Sequence, residues 1–129
     1  MKTMILTAVT LLMGANFLVA ADKGGATFEG TLVSSVCYLN GKDHPTTNEM
    51  GGYKTCGSKC LKKGDPAGLV SKSGEFHVLV ASSIKLSPYV GQQVRVTGED
   101  HSGAIAVDKI EVSKSGQWQP IELRSGKKN

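Results

Sequence analysis

What most restricts the fold of this 129-residue chain is its second half, where short apolar segments of period two are cut by turn residues. Residues 92–98 set Val94 and Val96 on one side and Arg95 and Thr97 on the other. That alternation suits a strand with one face buried and one face wet, and it is useless to a helix. Residues 67–71, 75–81, 104–112 and 118–123 read as further strands, with Phe76, Val78 and Val80 expected inward in the second of these. Turns at Ser73-Gly74 and His101-Ser102-Gly103 separate them, and residues 84–90 read as a short connection turning at Ser87-Pro88.

The first half adds one strand and one helix. Residues 27–36 place Phe28, Leu32 and Val36 on a common face, with Gly30 as a bend or bulge. Residues 39–52 carry Asn40-Gly41, His44-Pro45 and Gly51-Gly52 and read as a loop. Residues 53–63 can form a short helix that stops at Gly64 and Asp65-Pro66, with Lys62 and Lys63 at its negative end. Gly57 costs that helix about 1 kcal/mol relative to alanine, so it must persist through packing or through its cysteines. Five or six short strands with one short helix after the first predict a mainly β domain, and closure into a small barrel would remove its exposed edges.

The segment Tyr89-Val90-Gly91-Gln92-Gln93-Val94-Arg95-Val96-Thr97-Gly98 feeds a glycine turn into a strand ending in Val-Thr-Gly. Together with Gly30-Thr31-Leu32-Val33, a cysteine soon after that strand, Cys56-x3-Cys60, Gly64, Pro66 and Gly68-Leu69, it resembles a group of uncharacterised exported bacterial proteins of OB-like fold. The resemblance spans residues 28–123. It implies a small OB-like barrel of five to six strands and implies no activity. In that group a histidine often precedes the Cys-x3-Cys; here Tyr53 holds the place.

At the N-terminus, Lys2 precedes an apolar, uncharged run from Met4 to Val19, and Val19 and Ala21 occupy the small-residue positions before Asp22. This is the pattern of a cleaved export signal over residues 1–21, with cleavage after Ala20 nearly as good. The competing reading is an uncleaved anchor, which Gly14 and Asn16 weaken. The 129 residues less those 21 leave 108, enough for one domain over residues 22–123 with a basic tail at 124–129. The expectation is a periplasmic or secreted product with no membrane anchor after cleavage.

The formal charge of +4 falls to +3 without Lys2, and Arg124, Lys127 and Lys128 account for all of it. The basic character therefore belongs to the tail, which argues against a nucleic-acid partner needing clustered cations on the folded surface. Aromatic residues, at 5%, are too few for a base-stacking platform.

Chemistry concentrates in Cys37, Cys56 and Cys60. An odd number of thiols in an exported domain leaves one without an intramolecular disulfide partner. Cys56 and Cys60, at i and i+4 on a helix, have Cβ atoms about 5–6 Å apart, too far for an unstrained bridge. Two arrangements follow. Cys37 bonds one helix cysteine and staples a structural or protein-interaction domain, or all three thiolates converge on a soft metal.

Three sulfurs suit copper(I) or zinc, and zinc would call for a fourth ligand, for which His44 is the candidate by position. Tyr53 in place of a histidine tilts the choice toward copper(I). A thiol-redox role draws on Lys54, Lys59, Lys62 and Lys63 and on Thr55 capping a helix with Cys56 in its first turn, but no Cys-x-x-Cys is present. His77 reads as a surface strand residue and His101 as a turn residue. No acid–base pair, Ser-His-Asp set or glycine-rich phosphate loop is present, so a binding module is expected and not an enzyme.

Overall fold

A computed structural model describes residues 25–40 and 51–124, the side chains of 51–55 excepted. The expected export signal, most of the expected loop with His44, and the last five residues lie outside the described residues. The elements in order are β1 (Ala26–Ser34), α1 (Ser35–Leu39), α2 (Gly51–Lys62), β2 (Ala67–Val70), β3 (Phe76–Val80), α3 (Ser83–Leu86), a 3-10 turn (Ser87–Tyr89), β4 (Gln93–His101), β5 (Ala104–Lys114) and β6 (Gln117–Pro120). The domain is mainly β with a few short helices, and no described helix is long and apolar enough to cross a membrane.

The sheet runs β3-β2-β1-β4-β5-β6 with antiparallel neighbours, and β3 also pairs with β5 in parallel from Val78↔Ala104 to Val80↔Ala106. β1 serves two partners in succession, β4 along Ala26 to Thr31 and β2 along Thr31 to Ser34. Gly30 sits where that exchange occurs, and a side chain there would overlap the Val70 carbonyl. The expected bend is thus a close approach of two backbones, which excludes a Cβ.

Leu32, Leu69, Leu79, Val94, Val96, Ile105, Ile110 and Val112 fill the core, each at most 2% exposed. Leu61 from α2 and Leu86 and Val90 from the α3 region join them. Val94 and Val96 face inward as their alternation requires, and Phe28 packs half-buried against the same cluster.

Several expected boundaries and faces differ. β1 ends at Ser34, so Val36 belongs to α1 and is 40% exposed, not buried in the first strand. In β3 the inward residue is Leu79, while Val80 is 61% exposed and Phe76 and Val78 are half-buried on the opposite face. Phe76 is covered from outside by Tyr38 of α1, whose ring stacks on it at 4.9 Å. His77 shares the Leu79 side and lies against Phe28 at 5.4 Å, so it is a half-buried rim residue and not a surface one. The connection over residues 84–90 is helical, and the last strand is shorter than expected.

Candidate metal centre

The pairing of Ser34 with Ala67 is what assembles the cysteine site. Antiparallel register brings together the residues just after β1 and just before β2, although some thirty residues separate them in the chain. The Ser35 amide donates to the Pro66 carbonyl at 2.9 Å and ties the start of α1 to the exit from α2. Cys37 therefore emerges beside the last two turns of α2, where Cys56 and Cys60 stand.

Local sequence fixes each helix. Ser34, extended at φ −81° and ψ 125°, accepts from the Cys37 amide at 3.5 Å and caps α1. Asn40 closes the other end, its side-chain amide donating to the Val36 carbonyl at 2.8 Å. α2 ends as the sequence predicts. Gly64 adopts φ +99°, the Asp65 amide donates to the Cys60 carbonyl, and the Gly64 amide donates to Leu61. These two bonds form a Schellman closure that a residue with a Cβ would strain. Gly57 and Leu61 face the core one turn apart, so Cys56 and Cys60 lie on the adjoining stripe at the surface boundary.

The three sulfurs converge. Cys37 Sγ lies 3.6 Å from Cys56 Sγ and 3.7 Å from Cys60 Sγ, and all three ligand atoms fall within 4.8 Å of one another. Cys56 is exposed, and Cys37 and Cys60 are half-buried. All three are free thiols. Sulfurs held about 2.3 Å from a shared ion stand roughly 3.8 Å apart in tetrahedral geometry and about 4.0 Å apart in a plane. The two separations from Cys37 approach the tetrahedral value without any bond between sulfurs, which would require about 2.05 Å.

The cluster's electrostatics oppose three thiolates standing together uncompensated. Burial, followed by hydrogen bonding with Cys37 and the charges of Cys37 and Cys56, pushes the Cys60 thiol from 9.0 up to about 11. A cation among the sulfurs would reverse that balance, because ligand thiols bind deprotonated. The expectation that Thr55 caps the helix with Cys56 in its first turn does not hold: α2 begins at Gly51, so Cys56 lies in mid-helix, away from the positive end of the dipole.

Of the other expected site residues, His44 lies outside the described residues. His77 is not part of the cluster; its Nδ1 is buried without a hydrogen bond and lies 3.8 Å from Asp100 Oδ1. His101 is exposed in the β4–β5 hairpin beside Glu99. Sequence reading missed Ser34, the cap that positions Cys37. The Ser34-Ser35 pair after an apolar run was the available signal for a helix start. Protein-family models, curated proteins and solved structures yield no match to this chain.

Proposed function

We propose that the chain is an exported small binding module whose three cysteines hold one soft metal ion, copper(I) in preference to zinc. The observation that carries this reading is the placement of Cys37 Sγ within 3.7 Å of both other sulfurs, from three points on two helices. Softness follows from an all-thiolate donor set, and three sulfurs complete a copper(I) shell while leaving zinc one ligand short. The β3–β5 pairing supports treating β1 to β5 as a closed OB-like barrel, with β6 extending β5. On that scaffold the chain binds its ligand and does not transform it.

A second reading, a domain stapled by one disulfide and used for structure or protein contact, draws on the same approach of Cys37 to Cys56. Metal content separates the two. Protein purified under reducing conditions and titrated with copper(I) against a chromophoric chelator should bind one equivalent, with zinc weaker. Loss of that equivalent in Cys37→Ser and Cys60→Ser supports the metal reading. Absence of stoichiometric copper or zinc from the fully reduced chain overturns it in favour of the staple.

A further inference from the structure

We infer that the cysteine site contains a redox gate: a small-molecule disulfide joins Cys37 to Cys56, leaves Cys60 as the free thiol and so dissolves the metal site. The metal-release half rests on the metal reading above, whereas the choice of disulfide rests on geometry alone.

Accessibility selects the first sulfur to react. Cys56 is exposed while Cys37 and Cys60 are half-buried, so an incoming disulfide meets Cys56 first. Distance selects the second. Cys37 Sγ stands 3.6 Å from Cys56 Sγ, and about 1.6 Å of approach reaches bonding distance. Cys60 is the poorer partner for Cys56, because both sit on α2 at i and i+4. Their Cβ atoms are about 5–6 Å apart and a bridge wants nearer 3.8 Å, so joining them would break the helix. α1 is held by the Ser35–Pro66 bond and the Tyr38–Phe76 stack, and α2 by buried Leu61 and its Schellman closure, so rotation of the Cys37 and Cys56 side chains closes the gap.

The chemistry proceeds in two exchanges. The Cys56 thiolate attacks one sulfur of glutathione disulfide, forming a mixed disulfide and expelling one glutathione thiolate. The Cys37 thiolate then attacks the Cys56 sulfur, forming the Cys37–Cys56 bond and expelling the second. Two protein thiols give up two electrons and two protons, and glutathione disulfide becomes two glutathione thiols. In the loaded protein the metal stands in place of those protons. It keeps its oxidation state and departs to the released thiolates, since Cys60 alone offers a single ligand.

The test is to treat the reduced full-length chain, metal-free and metal-loaded, with glutathione disulfide, alkylate the remaining thiols and map the cross-links by mass spectrometry. The expected product is Cys37 linked to Cys56 with Cys60 alkylated in the same molecule, and one metal lost per disulfide formed. Cys60→Ser should cross-link as fully as the natural chain, and Cys37→Ser should accumulate a stable glutathione adduct on Cys56. A dominant bridge involving Cys60, a persistent adduct in the natural chain, or metal retained after the bridge forms would overturn the gate. If the starting protein takes up no metal, the metal reading fails by itself, and the cross-link pattern still decides the thiol chemistry.

Discussion

Gly57 packs directly beneath Val90: a Cβ built on it would stand 2.8 Å from Val90 Cγ1. This contact explains a glycine in the middle of a helix and sets how closely α2 approaches the core. Val90 is fully buried and β-branched, so it cannot easily turn aside.

Gly57→Ala should therefore destabilise the domain despite its better helix propensity. Overpacking costs about 1–3 kcal/mol and the propensity gain returns about 1 kcal/mol, for a net loss of roughly 1 kcal/mol. Thermal unfolding should show Tm lower by about 4–8 °C for a domain of this size. Because α2 must move outward, copper(I) affinity should fall as well. An alanine variant as stable as the natural chain would mean that α2 is not seated on Val90.

Truncation should separate the inward positions of β4 from an outward position of β3. Val94→Ala and Val96→Ala, each at a fully buried site, should cost about 1–3 kcal/mol in chemical denaturation. Val80→Ala, at a position 61% exposed, should stay within about 0.5 kcal/mol. Equal losses at Val80 and Val94 would mean the face of β3 is reversed.

That contrast marks where the fold was legible. Residues 92–98 alternate cleanly, with a charged or polar residue at every outward position, and so announce their face. Phe76-His77-Val78-Leu79-Val80 offers only His77 as a polar marker, and His77 points to the inner rim against Phe28. Meanwhile Phe76 gains a partner on the outer face from Tyr38, which residues 27–36 read as continuous strand had not provided. A period of two cannot choose a face when long-range neighbours cover both.

Acid should weaken the outer face of β4 and β5 through Glu111. Its carboxylate accepts from Arg95 Nε at 2.9 Å and meets Lys109 Nζ at 3.1 Å, while the Arg95 guanidinium lies 4.7 Å over the Trp118 ring. Lys109 first and Arg95 second hold the Glu111 carboxyl below its ordinary 4.5. A lowered folded pKa gives stability that is complete above the unfolded value and is lost as pH falls through the folded one. Glu111→Gln should therefore flatten the fall of Tm below about pH 4.5, relative to the natural chain. An unchanged acid limb would remove Glu111 from the linkage.

The site was legible as a set of residues but not as an arrangement. Three cysteines after one strand and on one helix left a Cys37 staple and a convergence of all three both open, and their spacing ruled out only a relaxed Cys56–Cys60 bridge. The relation between the helices depended on Ser34 pairing with Ala67 and on Ser35 bonding Pro66, long-range register that no local pattern encodes. The length of α2 was legible only at its C-terminal end, where Gly64 and Pro66 write the stop.

The raised Cys60 thiol gives the metal reading a pH signature. Burial and the two neighbouring cysteines favour its neutral form, so the folded metal-free chain holds that proton more tightly than the unfolded chain does. The preference supports the fold fully below pH 9.0 and is lost as pH rises toward about 11. Since the thiolate is the nucleophile, iodoacetamide near neutral pH should modify exposed Cys56 early and Cys60 last, with Cys60 accelerating only as pH approaches about 11. A bound metal takes the proton's place. Copper(I) uptake should release protons, tighten as pH rises and protect Cys60 from alkylation where the metal-free thiol slowly reacts. Quantitative alkylation followed by peptide mapping reads each of these. Cys60 reacting as fast as Cys56 near neutral pH would show that the cluster does not restrain its ionisation.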